Sequence, residues 1–153
     1  MEVNIRPLEE KDAYTSVEWR NTPEVWQYTG SSPDREITIK DELGWIKKVT
    51  EDKTGRRFAI IAEGVYVGNI YLTDIKNHQA EYHIFIGDKN YWGKGIARKA
   101  SNQIIEYGKE VLGLKEIILK VNIDNTAAVK LYESLSFKEY GKNGKFIKMK
   151  LNL

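Results

Sequence analysis

Between Glu81 and Leu112 the chain passes from a strand-like run (EYHIFI) through a loop holding Gly87, Gly93 and Gly95 into a long amphipathic stretch. This order constrains the fold more than any other feature of the sequence. Ala97, Ala100, Ile104, Gly108 and Val111 recur at helical spacing and predict a helix over Gly93–Leu112 with one apolar face. A helix that opens directly from a glycine loop presents unpaired backbone N–H groups and a partial positive charge, which together suit a phosphate or pyrophosphate. Gly93 and Gly95 let the backbone approach such an anion closely, and Lys94, Arg98 and Lys99 add cations beside it. No Gly-Lys-Ser/Thr follows at the Walker spacing, and Arg98 stands where a dinucleotide fingerprint has its last glycine.

Strand and helix signals alternate through the rest of the chain. A first strand ends near Arg6, and a helix over Glu9–Trp19 turns Ala13, Tyr14 and Val17 inward. Asn21–Glu36 reads as irregular, Thr38–Val49 as a helix, and Arg57–Glu63 and Val65–Thr73 as paired strands about Gly64. Asn77-His78 marks a turn before the Glu81–Ile86 strand. Beyond Gly113, Ile117, Leu119 and Val121 alternate as a strand. Asp124 or Asn125 caps a helix carrying Ala128, Leu131, Tyr132 and Leu135, and two short strands flank the Gly141–Gly144 turn. The sum is a mixed sheet with helices on both faces, an α/β (α+β) chain forming one domain over 1–153.

Composition narrows the function. With 24 basic and 22 acidic residues the net charge is +2, too balanced for nucleic acid or an acidic membrane to be the expected main partner. There is no cysteine, which removes disulfides, thiolate metal sites and a cysteine nucleophile, and two histidines are too few for an ordinary all-histidine metal site. No metal is expected. The N-terminus has no apolar leader-like run, so a cytoplasmic location is expected.

Trp92-Gly93-Lys94-Gly95-Ile96-Ala97 resembles the Q/R-x-x-G-x-G/A pyrophosphate loop of the GNAT superfamily of N-acetyltransferases, with Trp92 where Gln or Arg is more usual. Asn125, Ala128, Tyr132, Glu133 and Phe137 match that superfamily's N-x-x-A-x-x-x-Y-E-x-x-G-F. Ile5-Arg6-Pro7-Leu8 is similar to its opening strand. The one departure is Ser136, in place of the glycine before Phe137; at positive φ it would cost roughly 1 kcal/mol. The resemblance covers nearly the whole chain. It implies a mostly antiparallel sheet of about seven strands with about four helices, acetyl-CoA as co-substrate, and direct attack by an amine without an acyl-enzyme.

The resemblance further implies roles for particular residues. Gly93, Lys94, Gly95, Ile96, Ala97 and Arg98, with Trp92, would hold the pyrophosphate. Backbone groups of Phe85, Ile86 and Gly87 would pair with the pantetheine arm like an added strand, and Asn125 would bond that arm or simply cap its helix. Tyr132 would protonate the departing thiolate, or serve only as a core aromatic. Glu81 is the first candidate for the base that deprotonates the amine. His83, two residues on and on the same strand face, is the second. The strength of base required depends on the acceptor: at pH 7 an amine of pKa ~10.4 costs about 4.6 kcal/mol to deprotonate, and one near ~8 only about 1.4 kcal/mol.

The acceptor site is expected in the first third, with Arg20, Asn21, Trp26, Tyr28 and Trp45 as its recognition groups. Trp19–Val25 and Gly44-Trp45-Ile46 resemble GNAT enzymes acting on nucleotide-linked aminosugars, which is the first expectation for the acceptor. A polyamine, an aminoglycoside or a protein N-terminus is the alternative. A non-catalytic acyl-CoA-binding module is the alternative of a different class. Exposed edge strands near the C-terminus leave a homodimer open.

Overall fold

The computed structural model describes residues 1–29 and 31–153. Among them seven strands form one sheet: β1 (Val3–Pro7), β2 (Arg56–Ala62), β3 (Val65–Lys76), β4 (Gln79–Ile86), β5 (Glu116–Asn122), β6 (Lys138–Asn143) and β7 (Phe146–Asn152). Their spatial order is β1-β2-β3-β4-β5-β7-β6. Four α-helices accompany them: α1 (Ala13–Arg20), α2 (Ile39–Glu51), α3 (Ile96–Glu110) and α4 (Thr126–Ser134). No helix among the described residues is long and apolar enough to cross a membrane.

The strand alternation read from the sequence decides which face each helix covers. Ile117, Leu119 and Val121 of β5 point to one face and are buried with Ile70, Leu72, Ile104, Tyr132 and Met149, so α3 and α4 seal that side. Full burial of each such aliphatic side chain contributes roughly 1.5–3 kcal/mol. On the opposite face α1 and α2 pack through Ala13 and Ile46 against Ala59, with Leu8. This second layer lies over the β1–β3 side of the sheet. Two buried carboxylates fix it. Asp12 accepts from both terminal nitrogens of Arg6 at 2.8 and 2.7 Å, and Glu42 accepts from Ser16 Oγ at 2.6 Å and Arg20 Nε at 3.2 Å.

Every neighbouring pair is antiparallel except β4 and β5. A parallel pair needs a crossover, and α3 supplies it. That pairing covers only Gln79–Glu81 against Glu116–Ile118. Beyond it the strands part: among the described residues Tyr82–Ile86 keep their partners on β3 but have none on the β5 side. The sheet therefore splays in its middle, and the splay is what positions the site.

Some local readings need correction. Helix α3 starts at Ile96, because Gly93 and Gly95 have φ of +72° and +77° and belong to the loop. It ends at Glu110, which leaves Val111 exposed. Tyr14 points to solvent instead of inward. The chain enters α1 through a 3-10 turn at Glu10–Asp12, which offsets the helical phase so that Ala13, Ser16 and Trp19 face the core. Asn125 is the cap of α4, its Oδ1 accepting from Ala128 N.

Ser136 has φ +76°. Ser136 N donates to Glu133 O and Phe137 N to Tyr132 O, the two bonds of a Schellman helix end, whose left-handed residue is normally glycine. Ser136→Gly is therefore expected to stabilise the protein by about 1 kcal/mol, raising the thermal midpoint by roughly 2–4 °C. Differential scanning calorimetry checks this.

Candidate active site

The loop between β4 and α3 is built to leave amides free. The α3 N-cap is Gly95, which offers no side chain to the first-turn N–H groups. A Cβ built on Gly93 or Gly95 meets nothing within 4 Å, so open space adjoins both. Lys94 lies over the Tyr91 ring at 5.7 Å, and Arg98 donates to Ser134 Oγ at 2.5 Å, tying the loop to α4. Lys99, expected beside the loop, instead reaches Met1 O at the far side of α3. Trp92 donates its indole N–H to Ile86 O at 2.7 Å, and Gly87 N–H donates to Val67 O. Of the backbone groups read as pantetheine partners, those two are already engaged within the fold.

Tyr132 sits on the α4 side of the splay. Its ring meets Tyr82 edge-on at 5.6 Å and Phe137 at 6.0 Å. Tyr82 in turn bonds Ser101 Oγ at 2.6 Å, both buried. Burial pushes the Tyr132 hydroxyl up to about 12, so it stays protonated at any working pH.

Glu81 and His83 project from β4 to the other face. Glu81 Oε1 lies 3.8 Å from His83 Nε2, and Thr73 Oγ1 lies 3.0 Å from the same nitrogen. Partial burial holds the imidazole below its ordinary pKa; Arg57 and Lys120 push the same way, against Glu81 and Asp74. His83 also lines a cleft of about 330 Å³ with Asp52, Thr54, Arg57, Tyr71, Thr73 and Asp74. Asp74 reaches its rim from an irregular stretch of β3 between Thr73 and Lys76, at φ +50°.

The expected acceptor residues divide. Arg20 and Trp45 stand together behind the cleft, the guanidinium 4.1 Å from the indole centroid, and Trp45 lies 6.2 Å from Tyr71. Asn21 is occupied with backbone groups: it accepts from Ile37 N and donates to Val17 O and Ile37 O. Trp26 donates to Arg20 O, and Tyr28 is at the surface. Sequence reading missed Arg57, Tyr71, Thr73, Asp52 and Asp74. Strand register brings them together, with Arg57 opposite Tyr71 and Tyr71 opposite His83. Arg57 Nε and the Tyr71 hydroxyl, on cleft-lining residues, and Asn69 Nδ2 in the core are buried without a hydrogen-bond partner among the described residues.

A splayed mixed sheet with an uncapped glycine loop at its mouth defines a class of α/β transferase that seats a pyrophosphate-bearing co-substrate. The family model for the acetyltransferase (GNAT) domain matches residues 2–138, and the chain belongs to that family. It is 31% identical over 144 residues to the uncharacterized N-acetyltransferase p20 of Bacillus licheniformis, covering 91% of this chain and 80% of that one. It is 32% identical over 142 residues to spermidine N(1)-acetyltransferase of Escherichia coli K12, covering 91% and 74%. A crystal structure of spermidine N-acetyltransferase from Vibrio cholerae with CoA and spermine superposes with a TM-score of 0.87 at 27% identity, over 98% of this chain and 95% of that one. The V. cholerae enzyme also has a dodecameric structure. The present protein is an N-acetyltransferase that uses acetyl-CoA. Its residues fit that co-substrate: the first-turn amides of α3, with no side-chain cap, suit the pyrophosphate, and past Glu81 the β5-facing edge of β4 has no strand partner among the described residues.

Proposed function

We propose that the protein acetylates the primary amine of a small polar acceptor bound in the cleft beneath His83, with Glu81 and His83 receiving the amine's proton and Tyr132 acting across the splay. The observation that carries this reading is the break in pairing between β4 and β5 past Glu81, which lies between the His83 cleft on one face of the sheet and Tyr132 on the other. Acetyl-CoA supplies the thioester carbonyl and a sulfur leaving group. Gly93–Arg98 would hold its pyrophosphate, with Trp92 bracing the loop against Ile86. The neutral imidazole of His83 can accept a proton directly or through Glu81 and water. The protonated Tyr132 hydroxyl holds its proton toward the negative charge that develops as the sulfur leaves.

Two acceptor classes remain in view. The relatives named for spermidine support a polyamine, and Asp52 and Asp74 give the cleft carboxylates for a second ammonium. The aminosugar nucleotide of the sequence reading draws support from Arg57 and Tyr71, cleft-lining residues whose Nε and hydroxyl have no hydrogen-bond partner among the described residues and can donate to sugar or phosphate oxygens. Self-association of the chain is supported by the dodecameric relative.

Release of CoA thiol from acetyl-CoA, measured against polyamines, aminosugar nucleotides, aminoglycosides and N-terminal peptides, tests the reading. Turnover confined to one class is expected; acetyl-CoA binding with no turnover for any amine would return the chain to the binding-module alternative. For His83, kcat is expected to fall as pH drops through a value below 6.5, because the depressed pKa keeps the base unprotonated above that point. In His83→Gln that acid limb should vanish or move. An unchanged limb would assign the titration elsewhere.

A further inference from the structure

The face of the sheet that α1 and α2 cover on the β1–β3 side continues across β5, β7 and β6. There four of its side chains are lysines, set among Ile118, Phe146, three asparagines and Glu116, whose carboxylate accepts from Gln79 Nε2. Lys120 of β5 stands opposite Lys148 of β7, and Lys150 of β7 stands opposite Lys138 of β6. Lys148 and Lys150 are two residues apart and share the face. Directly opposed residues of an antiparallel pair lie only about 5 Å apart at Cβ, where like charges repel. None of these four lysines has a carboxylate within ion-pair distance among the described residues. Lys150 Nζ instead lies 5.2 Å from the Tyr140 ring, which is exposed.

A solvated basic face is ordinary when its charges are scattered or paired. Here they are stacked across three strands. The position also matters. Ile118 pairs with Glu81, and Lys120 follows it by two on the same face, so the basic patch begins where the sheet splays beside the Glu81–His83 pair. The charge of Lys120 reaches His83 and opposes its protonation. The cleft, with Asp52 and Asp74 beside Arg57, lies on the β3 side of His83, and the lysines begin on its β5 side, with the Glu81–His83 pair between them.

We infer that the lysine face of β5, β7 and β6 is an anion subsite, and that it holds a phosphate group of the same acceptor whose amine Glu81 and His83 receive. The inference rests on the acetyl-transfer reading and narrows it to amines that carry a phosphate. The lysine face is the recognition element; the cleft orients the amine.

The test uses the full chain and a matched pair of acceptors, glucosamine 6-phosphate and glucosamine, with Lys148→Ser/Lys150→Ser as the variant. Lys142→Ser/Lys145→Ser is the charge-matched control, since Lys142 stands opposite Ile147 on the other face and Lys145 lies in the β6–β7 turn. Wild type should show kcat/KM roughly tenfold or more higher for the phosphorylated amine, an advantage that shrinks with added salt. K148S/K150S should lose that advantage and K142S/K145S keep it. Equal kcat/KM for the two amines, or an advantage that survives K148S/K150S, overturns the subsite. Calorimetric titration of glucosamine 6-phosphate at saturating CoA separates this from failure of the reaction itself. Binding lost in K148S/K150S with no thiol release from any amine keeps the subsite and sinks the acetyl-transfer reading. Thiol release from spermidine without glucosamine 6-phosphate binding does the reverse.

Discussion

Tyr132→Phe is expected to lower kcat for thiol release by about a hundredfold or more, the scale of a lost general acid, with little change in the KM for acetyl-CoA. Phenylalanine keeps the edge-on contacts with Tyr82 and Phe137, so the core of α4 survives. Its hydroxyl adds at most the ~1 kcal/mol of one hydrogen bond, and the thermal midpoint should move by only a few degrees. The chemistry sets the form of the effect. A hydroxyl near pKa 12 facing a thiolate of ordinary pKa ~8.5 would lose about 5 kcal/mol by giving up its proton outright. In the proposed mechanism Tyr132 would therefore act by donating a strong hydrogen bond as charge develops, with solvent completing the transfer. A phenylalanine variant with full kcat would reduce Tyr132 to a packing residue. A variant whose kcat is intact but whose acetyl-CoA KM rises would move its role from chemistry to binding.

What could be read from the sequence was what the sequence determines locally. The β4–loop–α3 unit was readable because strand alternation, two left-handed glycines and a helical period lie within a few turns of one another. The strain at Ser136 was readable for the same reason: a helix end is a six-residue event, and its bonds run from Ser136 and Phe137 back to Glu133 and Tyr132. Tyr14 was misplaced because a 3-10 entry changes the phase of α1 in a way no periodicity count registers. The cleft was hidden for a different reason. Arg57, Tyr71 and His83 are scattered in sequence and become neighbours only through the registers of β2 with β3 and β3 with β4. Asp74 joins them through an irregularity in β3 that alternation alone would not place. The lysine face obeys the same logic: Lys120 meets Lys148 across β5 and β7, which are not consecutive in the chain, and Lys138 meets Lys150 only through the register of the β6–β7 hairpin.

Gly68→Ala is expected to be the most damaging single methyl in the protein's sheet. The glycine has ordinary strand conformation, so the cost is not one of backbone preference. A Cβ there would lie 2.4 Å from Phe85 O, 3.0 Å from Ile86 Cα and 3.3 Å from Ile86 Cδ1. Two of those atoms are backbone of β4, directly opposite Gly68 in the register, and cannot swing aside as a side-chain tip would. Relief requires widening the β3–β4 ladder at its loop end. There Gly87 N and Asp88 N both donate to Val67 O, and Trp92 donates to Ile86 O. Overpacking of this kind costs 1–3 kcal/mol and occasionally more; with the backbone as the obstacle about 3 kcal/mol is expected, or a thermal midpoint lowered by roughly 6–12 °C. The displaced segment, Phe85–Gly87, leads straight into the glycine loop, so the KM for acetyl-CoA should rise together with the loss of stability. Gly44→Ala provides the contrast. Gly44 lies within α2 with nothing within 4 Å of its added Cβ, and there alanine should stabilise by up to about 1 kcal/mol without changing that KM. If Gly68→Ala melted like wild type, the close approach of β3 to β4 would be softer than its geometry implies. The splay that starts on β4 would then owe less to this strand pair than to the helix α3 that follows it.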